Sequence, residues 1–251
     1  MELNKIYTGN CLDVMKTFPD KSIDLTLTSP PYDSLRTYKG YVFDFKSIAK
    51  ELYRVTKDEG VVVWVVGDAT VKGSETGTSF RQALYFKEIG FNLHDTMIYE
   101  KQNYKPVNAK RYDNVFEYLF ALSKGKPKTF NPIMVEKARV KKESGKYRQK
   151  DGSFKSSTRK ANNLKKHTNI FRYSIGGHIA DKIAFKHPAI FPEKLAHDHI
   201  ISWSNEGDTV LDPMCGSGTT LKMAKKTGRN YIGIEISREY VEIAEERLKS
   251  V

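Results

Sequence analysis

The chain has 251 residues, a length that suits one domain with an insertion or one large and one small domain, and its 39% hydrophobic and 12% aromatic content fits a soluble globular protein. Its longest apolar run, GVVVWVVG at 60–67, is far shorter than a membrane span. The N-terminus shows no signal pattern, and two cysteines are too few for a disulfide framework. We therefore expect a cytoplasmic location. The net charge is +12, and residues 124–186 carry 18 lysines and arginines against 4 acids, which predicts contact with a polyanion, a solvated surface loop being the alternative.

Alternating strands and helices are predicted along the first half of the chain. Continuous β-branched runs predict strands, and apolar residues at helical spacing predict helices. The strands are expected at 23–29, 60–68, 91–101 and 114–124, and the helices at 44–57 and 79–90. The first strand runs into TSPPY, where two consecutive prolines cannot continue a sheet. The chain therefore turns sharply at Ser29, Pro30, Pro31 and Tyr32.

Residues 125–170 interrupt this alternation, because lysine, arginine, serine and asparagine recur there without a clear period. Regular structure resumes with a helix at 192–204, a strand at 208–213, a helix at 218–228, a strand at 229–236 and a helix at 237–250. Strand–helix alternation with buried strands predicts a doubly wound, mostly parallel α/β sheet. We divide the chain into a first half of the main domain at 1–124, a basic insertion at 125–178 and a second half at 179–251.

A glycine-rich turn, VLDPMCGSGTT at 210–220, joins a predicted strand to a predicted helix. The spacing of Gly216 and Gly218 lacks the third glycine of a dinucleotide fingerprint, and no Gly-Lys-Ser/Thr sequence of a P-loop follows. Asp212 ends the strand before the turn, where it is suited to a ligand's ammonium group. Glu235 ends the next strand, where carboxylates bind ribose hydroxyls. An ammonium, a carboxylate at a helix N-terminus and a ribose together describe S-adenosylmethionine, whereas a tight structural turn is the alternative.

Taken in order, these motifs resemble the β-type, permuted S-adenosylmethionine-dependent DNA amino-methyltransferases, which act on N4 of cytosine or N6 of adenine. In that family a Ser/Asn/Asp-Pro-Pro-aromatic catalytic motif comes first, a basic target-recognition region follows, and the cofactor motif lies near the C-terminus. The chain shows TSPPY, the basic insertion and LDPMCGSGTT in that order. KHPAIFPEKL at 186–195 is similar to the motif beside the methionine end of the cofactor. YTGNCLDVM at 7–15 is similar to the adenine-contacting stretch, with Gly-Asn where the family often has Gly-Asp.

The resemblance implies a Rossmann-like, seven-stranded methyltransferase sheet, with the catalytic half at 1–124, the target-recognition insertion at 125–178 and the cofactor-binding half at 179–251. Ser29, Pro30, Pro31 and Tyr32 are the expected catalytic residues. The residues expected to bind S-adenosylmethionine are Asn10, Cys11, His187, Phe191, Asp212, Pro213, Cys215, Gly216, Gly218, Thr219 and Glu235. Those expected to contact DNA are Arg111, Arg139, Lys141, Lys142, Arg148, Arg159 and Lys160. We predict no metal site, since His197 and His199 at i, i+2 lie on different helix faces.

The Ser-Pro-Pro-Tyr corner suggests a way to activate an exocyclic amino group. Ser29 Oγ and the Pro30 carbonyl are positioned to accept both amino hydrogens, while Tyr32 stacks on a base that is flipped out of the duplex. Methyl transfer is then a direct displacement. Chemistry at carbon 5 of cytosine is rejected, because it needs a nucleophilic cysteine preceded by proline. Ser at position 29 favours N4-cytosine over N6-adenine, which stays the alternative.

A DNA-binding protein that keeps this fold without catalysis is a second alternative, opposed by the intact catalytic and cofactor motifs. The expected partner is double-stranded DNA, with no membrane. The sequence leaves open whether a cognate restriction endonuclease accompanies the chain and whether it forms a homodimer.

Overall fold

The computed structural model describes residues 1–31, 43–104, 106, 110–138, 144–158, 163–175, 179–190 and 192–251. The helices are α1 (Cys11–Met15), α2 (Phe45–Val55), α3 (Thr78–Glu88), α4 (Glu193–Trp203), α5 (Thr219–Lys226) and α6 (Arg238–Leu248), with a 3₁₀ helix at Lys182–Lys186. The strands are β1 (Lys5–Thr8), β2 (Ile23–Thr28), β3 (Thr56–Val66), β4 (Thr70–Val71), β5 (Ser74–Glu75), β6 (Asn92–Lys101), β7 (Phe116–Ser123), β8 (Met134–Glu136), β9 (Ser144–Arg148), β10 (Phe154–Thr158), β11 (Leu164–Lys166), β12 (Ile170–Tyr173), β13 (Thr209–Asp212) and β14 (Asn230–Glu235). Among these described helices, none has the length and apolar character needed to cross a membrane.

The central sheet has the strand order β1-β14-β13-β2-β3-β7-β6-β12. Neighbouring strands are parallel except where β7 pairs with β3 and β6. The predicted mostly parallel α/β sheet is therefore confirmed. It has eight strands instead of seven, because β12 pairs with β6 from Ile170↔Ile98 to Tyr173↔Lys101 and extends that edge.

Apolar side chains are buried on both faces of the sheet, which is why β3 has an almost uninterrupted apolar sequence. On one face Trp64 packs in a cluster with residues of α2 and α3 such as Leu52 and Phe86. On the other face, residues of β2 and β3 pack with Leu195 of α4 and Met223 of α5. The helices thus cover both faces, as the doubly wound prediction requires.

The predicted element bounds differ from the observed ones mainly at β3, β1 and α1. Strand β3 begins at Thr56, four residues before the predicted start, because the buried Thr56 pairs with Ile23 of β2. The side chains of the next three residues, 57–59, remain partly or fully exposed. Strand β1 and helix α1 are four and five residues long and were not predicted. The side chain of Asn10 caps α1 by accepting a hydrogen bond from the Leu12 N–H at 2.9 Å.

The chain forms two compact units, Met1–Asn131 with Asn169–Val251, and Pro132–Thr168. The second unit consists of two antiparallel ribbons, β8 with β11 and β9 with β10. It carries 12 lysines and arginines against 3 acids, a net charge of +9. This small unit therefore accounts for +9 of the net charge of +12 of the chain.

Candidate active site

A cavity of about 750 Å³ lies in the main unit, at the edge of the sheet where its parallel strands end. Ligands of open α/β sheets bind at this edge, because the carboxyl ends of the strands and the following loops meet there. Eleven of the residues predicted from the sequence line it, namely Asn10, Cys11, Ser29, Pro30, Pro31, His187, Pro213, Cys215, Gly216, Thr219 and Glu235. The structure therefore brings together residues that are more than 200 positions apart in the chain.

The glycine-rich turn between β13 and α5 forms part of the cavity wall. Gly216 has φ of +49°, and a Cβ there would lie 2.9 Å from His187 Nε2. Gly218 has φ of +75°, and a Cβ there would lie 2.7 Å from the Cβ of Ala244 in α6. Both positions need a left-handed backbone and closely packed neighbours, so only glycine fits them without strain. Gly218 supports the turn from behind, since it is not among the described residues that line the cavity.

Glu235, at the end of β14, presents a carboxylate to the cavity. Its two oxygens accept hydrogen bonds from the backbone N–H of Gly216 at 2.9 Å and of Ser237 at 2.8 Å. Burial raises the pKa of this carboxyl group above its ordinary value, and the backbone donors oppose the shift. The backbone of Glu235 also accepts from the Gly9 N–H, which fixes the loop that carries Asn10. A carboxylate at this position is suited to bind ribose hydroxyls. The adjoining glycine turn is suited to the amino-acid part of a nucleoside that carries an amino acid.

Asp212 lies behind the turn instead of on the cavity wall. Its side chain is 1% exposed, and Oδ1 accepts from Thr28 Oγ1 at 2.8 Å and from the Met214 N–H at 3.2 Å. Burial raises its pKa to about 6. Thr28 immediately precedes the Ser-Pro-Pro corner, so Asp212 ties that corner to the glycine turn.

Ser29, Pro30 and Pro31 follow β2 and line the middle of the cavity, since β2 is a central strand of the sheet. Tyr32 and Phe191 lie outside the described residues. His187 is mostly buried, with Nδ1 2.7 Å from the Ala189 carbonyl oxygen and its ring 4.2 Å from the Tyr240 ring. Asn10 uses its side-chain oxygen to cap α1, so its amide nitrogen is the group left for a ligand.

A buried ionic cluster supports the wall from outside the cavity. The guanidinium of Arg247 in α6 is completely buried and donates to the Ser217 carbonyl at 2.6 Å. It also contacts Asp181 at 2.9 Å and Glu193 at 2.8 Å, and Lys222 contacts the same two acids. Burial opposes ionisation of Asp181, but hydrogen bonds from Lys222 and Arg247 outweigh it and lower the pKa of that carboxyl. The cluster therefore joins the glycine turn to the segment that carries His187.

The sequence reasoning missed the residues at the other end of the cavity, among them Tyr99, Lys101, Glu117 and Ile175. Lys101 Nζ lies 2.6 Å from Glu117 Oε1 and 5.9 Å from the centre of the Tyr99 ring. Burial, reinforced by the Glu117 carboxylate, raises the pKa of Tyr99, so its phenol is neutral. These residues end β6, begin β7 or follow β12, and strand order alone brings them to this edge.

The residues predicted to contact DNA are mostly outside the described part of the chain. Arg139, Lys141, Lys142, Arg159 and Lys160 belong to the segments that are not described, and Arg148 is an exposed residue of β9. Arg111 binds the β4–β5 hairpin, donating to Thr70 Oγ1 and to the Gly73 carbonyl, both at 2.7 Å. It is not among the described residues that line the cavity.

Comparisons with known proteins agree with this arrangement. A family model described as DNA methylase, N6_N4_Mtase, matches residues 23–246. The chain is 60% identical over 240 residues to M.BamHII of Bacillus amyloliquefaciens, described as an orphan methyltransferase, covering 92% of this chain and 90% of that protein. It is 29% identical over 261 residues to the type II methyltransferase M.BglII of Bacillus subtilis, covering 96% of this chain and 68% of that protein.

Two solved structures share the fold. The PvuII DNA methyltransferase, titled cytosine-N4-specific, resembles this chain with a TM-score of 0.73 and 24% identity, covering 98% of this chain and 86% of that one. M1.HpyAVI, solved as a complex with S-adenosylmethionine, gives a TM-score of 0.65 and 24% identity, covering 97% of this chain and 98% of that one. At these identities the similarity shows the fold.

Proposed function

The chain belongs to the N6/N4 DNA methylase family, whose members are S-adenosylmethionine-dependent DNA methyltransferases, and we propose that the group it methylates is N4 of cytosine. Serine at position 29 favours cytosine over adenine, and the observation that carries transfer to an amino group is the position of the Ser-Pro-Pro corner in the cavity wall. It lies between the glycine turn with Glu235 on one side and Tyr99, Lys101 and Glu117 on the other. A methyl donor on the first side and a base on the second would meet at Ser29.

The cofactor is assigned to the side of the cavity formed by β1, β14 and β13. Glu235 receives the ribose hydroxyls, Asn10 and Cys11 lie beside the adenine, and Gly216 and Thr219 border the amino-acid end. S-adenosylmethionine supplies a methyl group on a positively charged sulfur. Asp212 acts through the turn that it holds, because its carboxylate is bonded to Thr28 and Met214 behind the wall.

The corner makes the amino nitrogen of the base a better nucleophile. In a free base the nitrogen lone pair is delocalised into the ring, and the two amino hydrogens lie in the ring plane. Ser29 Oγ and the Pro30 carbonyl accept those hydrogens, which draws the lone pair out of conjugation and towards the methyl carbon. Bound S-adenosylmethionine would supply the methyl carbon: the carbon–nitrogen bond would form as the carbon–sulfur bond breaks, and S-adenosylhomocysteine would leave as a neutral thioether. The positively charged methylated nitrogen would then release one of its two protons to water. The chain itself contributes positioning and electrostatic stabilisation.

The basic second unit is assigned to DNA binding. Its net charge of +9 suits the phosphate backbone, and exposed arginines such as Arg148 are suited to base edges in a groove. Because the amino group of cytosine is paired in duplex DNA, the target base must leave the helix to reach the cavity.

The experiment is labelled-methyl transfer from S-adenosylmethionine to DNA of varied sequence, followed by mass spectrometry of the nucleosides. We expect N4-methylcytosine. Recovery of N6-methyladenine without N4-methylcytosine would transfer the assignment to adenine. A protein that binds DNA and the cofactor, yet methylates no DNA, would support the non-catalytic alternative.

A further inference from the structure

The end of the cavity beyond the Ser-Pro-Pro corner holds two charged residues, Lys101 and Glu117, that have no role in the reaction as described above. Side chains alternate between the faces of a strand, so Leu27 and Ser29 of the β2 segment share one face. Tyr99 and Lys101 share a face in β6, and Tyr99 is paired across the strands with Glu117. All three line the same cavity as Ser29. A target base placed with its amino group at Ser29 would therefore lie against Tyr99, Lys101 and Glu117.

Lys101 and Glu117 form an ion pair at 2.6 Å, and their side chains are only 26% and 15% exposed. Removing two charges from water is unfavourable, and apolar residues of similar size usually stabilise such a position equally well. A purely structural role therefore explains the pair poorly. The Tyr99 ring lies beside the ammonium, with its centre 5.9 Å from Lys101 Nζ.

The ammonium of Lys101 has hydrogen-bonding capacity beyond this pair. A lysine has three N–H donors and no acceptor, and the ion pair with Glu117 takes one of the three. Lys101 lines the cavity, so a ligand bound there can reach its ammonium. A ligand group suited to it is an acceptor, and two adjacent acceptors would suit it better than one.

Cytosine offers two adjacent acceptors beside its amino group, N3 and O2. Adenine offers N1 beside its amino group, but a C–H where cytosine has O2. The ring nitrogen is also the stronger nucleophile towards a sulfonium, because its lone pair is not delocalised. A donor placed on N3 therefore orients the base and keeps that nitrogen from competing for the methyl group.

We propose that Lys101, held in place by Glu117, is a specificity-determining residue that donates to the N3 and O2 edge of the target cytosine. This inference rests on the proposed function, since it takes Ser29 and Pro30 as the acceptors for the amino hydrogens. It adds a donor to those acceptors, so that the whole polar edge of the base is read. Flipped bases are recognised in this way, through hydrogen bonds to the edge that pairs in the duplex.

The test compares Lys101→Met and Glu117→Gln with Lys57→Met. Lys57 is a matched control because it also forms an ion pair, with Asp24 at 2.7 Å, and lies at the opposite end of the parallel strands. For each protein we would measure the affinity for S-adenosylmethionine, the single-turnover rate on DNA and the methylated nucleosides. Circular dichroism and urea unfolding show whether each variant is folded.

Lys101→Met is expected to slow transfer by about ten- to hundredfold, the usual effect of losing a hydrogen bond to a charged group. Its cofactor affinity should stay within about twofold of the wild type, and the share of 3-methylcytosine or N6-methyladenine among the products should rise. Glu117→Gln keeps the Lys101 ammonium but removes the carboxylate that positions it, so a smaller decrease in the transfer rate is expected. Lys57→Met should match the wild type in rate and products.

Unchanged rate and products in a folded Lys101→Met variant would overturn the inference, as would a loss of cofactor affinity equal to the loss of rate. Should that variant not fold, an unchanged rate and product distribution in Glu117→Gln would overturn it. The wild-type product tests the proposed function separately. If the wild type makes no N4-methylcytosine, the proposed base is wrong whatever the variants do.

Discussion

Replacing Gly218 with alanine tests the packing behind the glycine-rich turn. The change forces a side chain into a left-handed backbone at φ +75°, which is unfavourable by about 1–2 kcal/mol. It also places a Cβ 2.7 Å from the Cβ of Ala244, an atom fixed in α6 that cannot rotate away. Such overpacking adds about 1–3 kcal/mol. We therefore expect Gly218→Ala to lower the free energy of unfolding by about 2–5 kcal/mol.

Gly228→Ala is a closely matched control. Gly228 has almost the same backbone, φ +74°, but the atom nearest to its added Cβ would be Glu206 Cγ, at an ordinary contact distance of 3.5 Å. The control should therefore show the backbone effect alone, about 1–2 kcal/mol. The difference between the two variants isolates the collision with Ala244.

Urea unfolding measures both variants, provided that the dependence of the free energy on urea concentration is unchanged. Calorimetric titration with S-adenosylmethionine gives the second readout, since moving α5 away from α6 displaces the turn that lines the cavity. The affinity for S-adenosylmethionine should fall in Gly218→Ala and stay at the wild-type value in Gly228→Ala. Equal destabilisation by the two substitutions would refute the packing argument.

Three further predictions concern stability and DNA binding. Arg247→Met removes the buried guanidinium that bonds Asp181 and Glu193, while Lys222 still pairs with both acids. Urea unfolding should therefore show a loss of about 1.5–3 kcal/mol, as for lost hydrogen bonds to charged groups, whereas a loss below about 1 kcal/mol would contradict the role of this ionic cluster. Burial lowers the pKa of His199 to about 4, so the unfolded chain binds more protons there between that pH and about 6.5. The wild type should thus lose up to about 3 kcal/mol as the pH falls through this window, and His199→Phe should remove that part of the slope. DNA affinity should decrease steeply as salt increases, and neutralising lysines of residues 132–168 should flatten the dependence, while an unchanged slope would count against this unit as the DNA-binding surface.

Local patterns were enough to predict the elements that bring the glycine-rich turn and the Ser-Pro-Pro corner together. The apolar run of β2 and the helical spacing of α3 are local signals, and the observed bounds differ from the predicted ones by one or two residues. The glycines of the turn were informative because their backbone conformation excludes other residues. Asp212 was expected to meet the ligand, but Thr28 and Met214 bind its carboxylate behind the wall, an arrangement that depends on the neighbouring strand.

Lys101 and Glu117 show why the rest of the site was not predictable. Each is a charged residue at or beside one terminus of a strand, a pattern that usually marks exposure to solvent. Their contact depends on the antiparallel pairing of β6 and β7, and their nearness to Ser29 depends on the order of the strands in the sheet. Alternation of faces along β6 is the signal that could have identified them, once the strand order was known.

The most direct measurement concerns the Ser-Pro-Pro corner, whose role in the chemistry is the central claim. Single-turnover methyl transfer to DNA and the affinity for S-adenosylmethionine would be measured on the same preparation of Ser29→Ala. Because Ser29 is assigned to the amino group and not to the cofactor, transfer should fall at least about a hundredfold while the cofactor affinity stays within about twofold. Transfer at the wild-type rate, or a loss of cofactor affinity as large as the loss of rate, would contradict the claim.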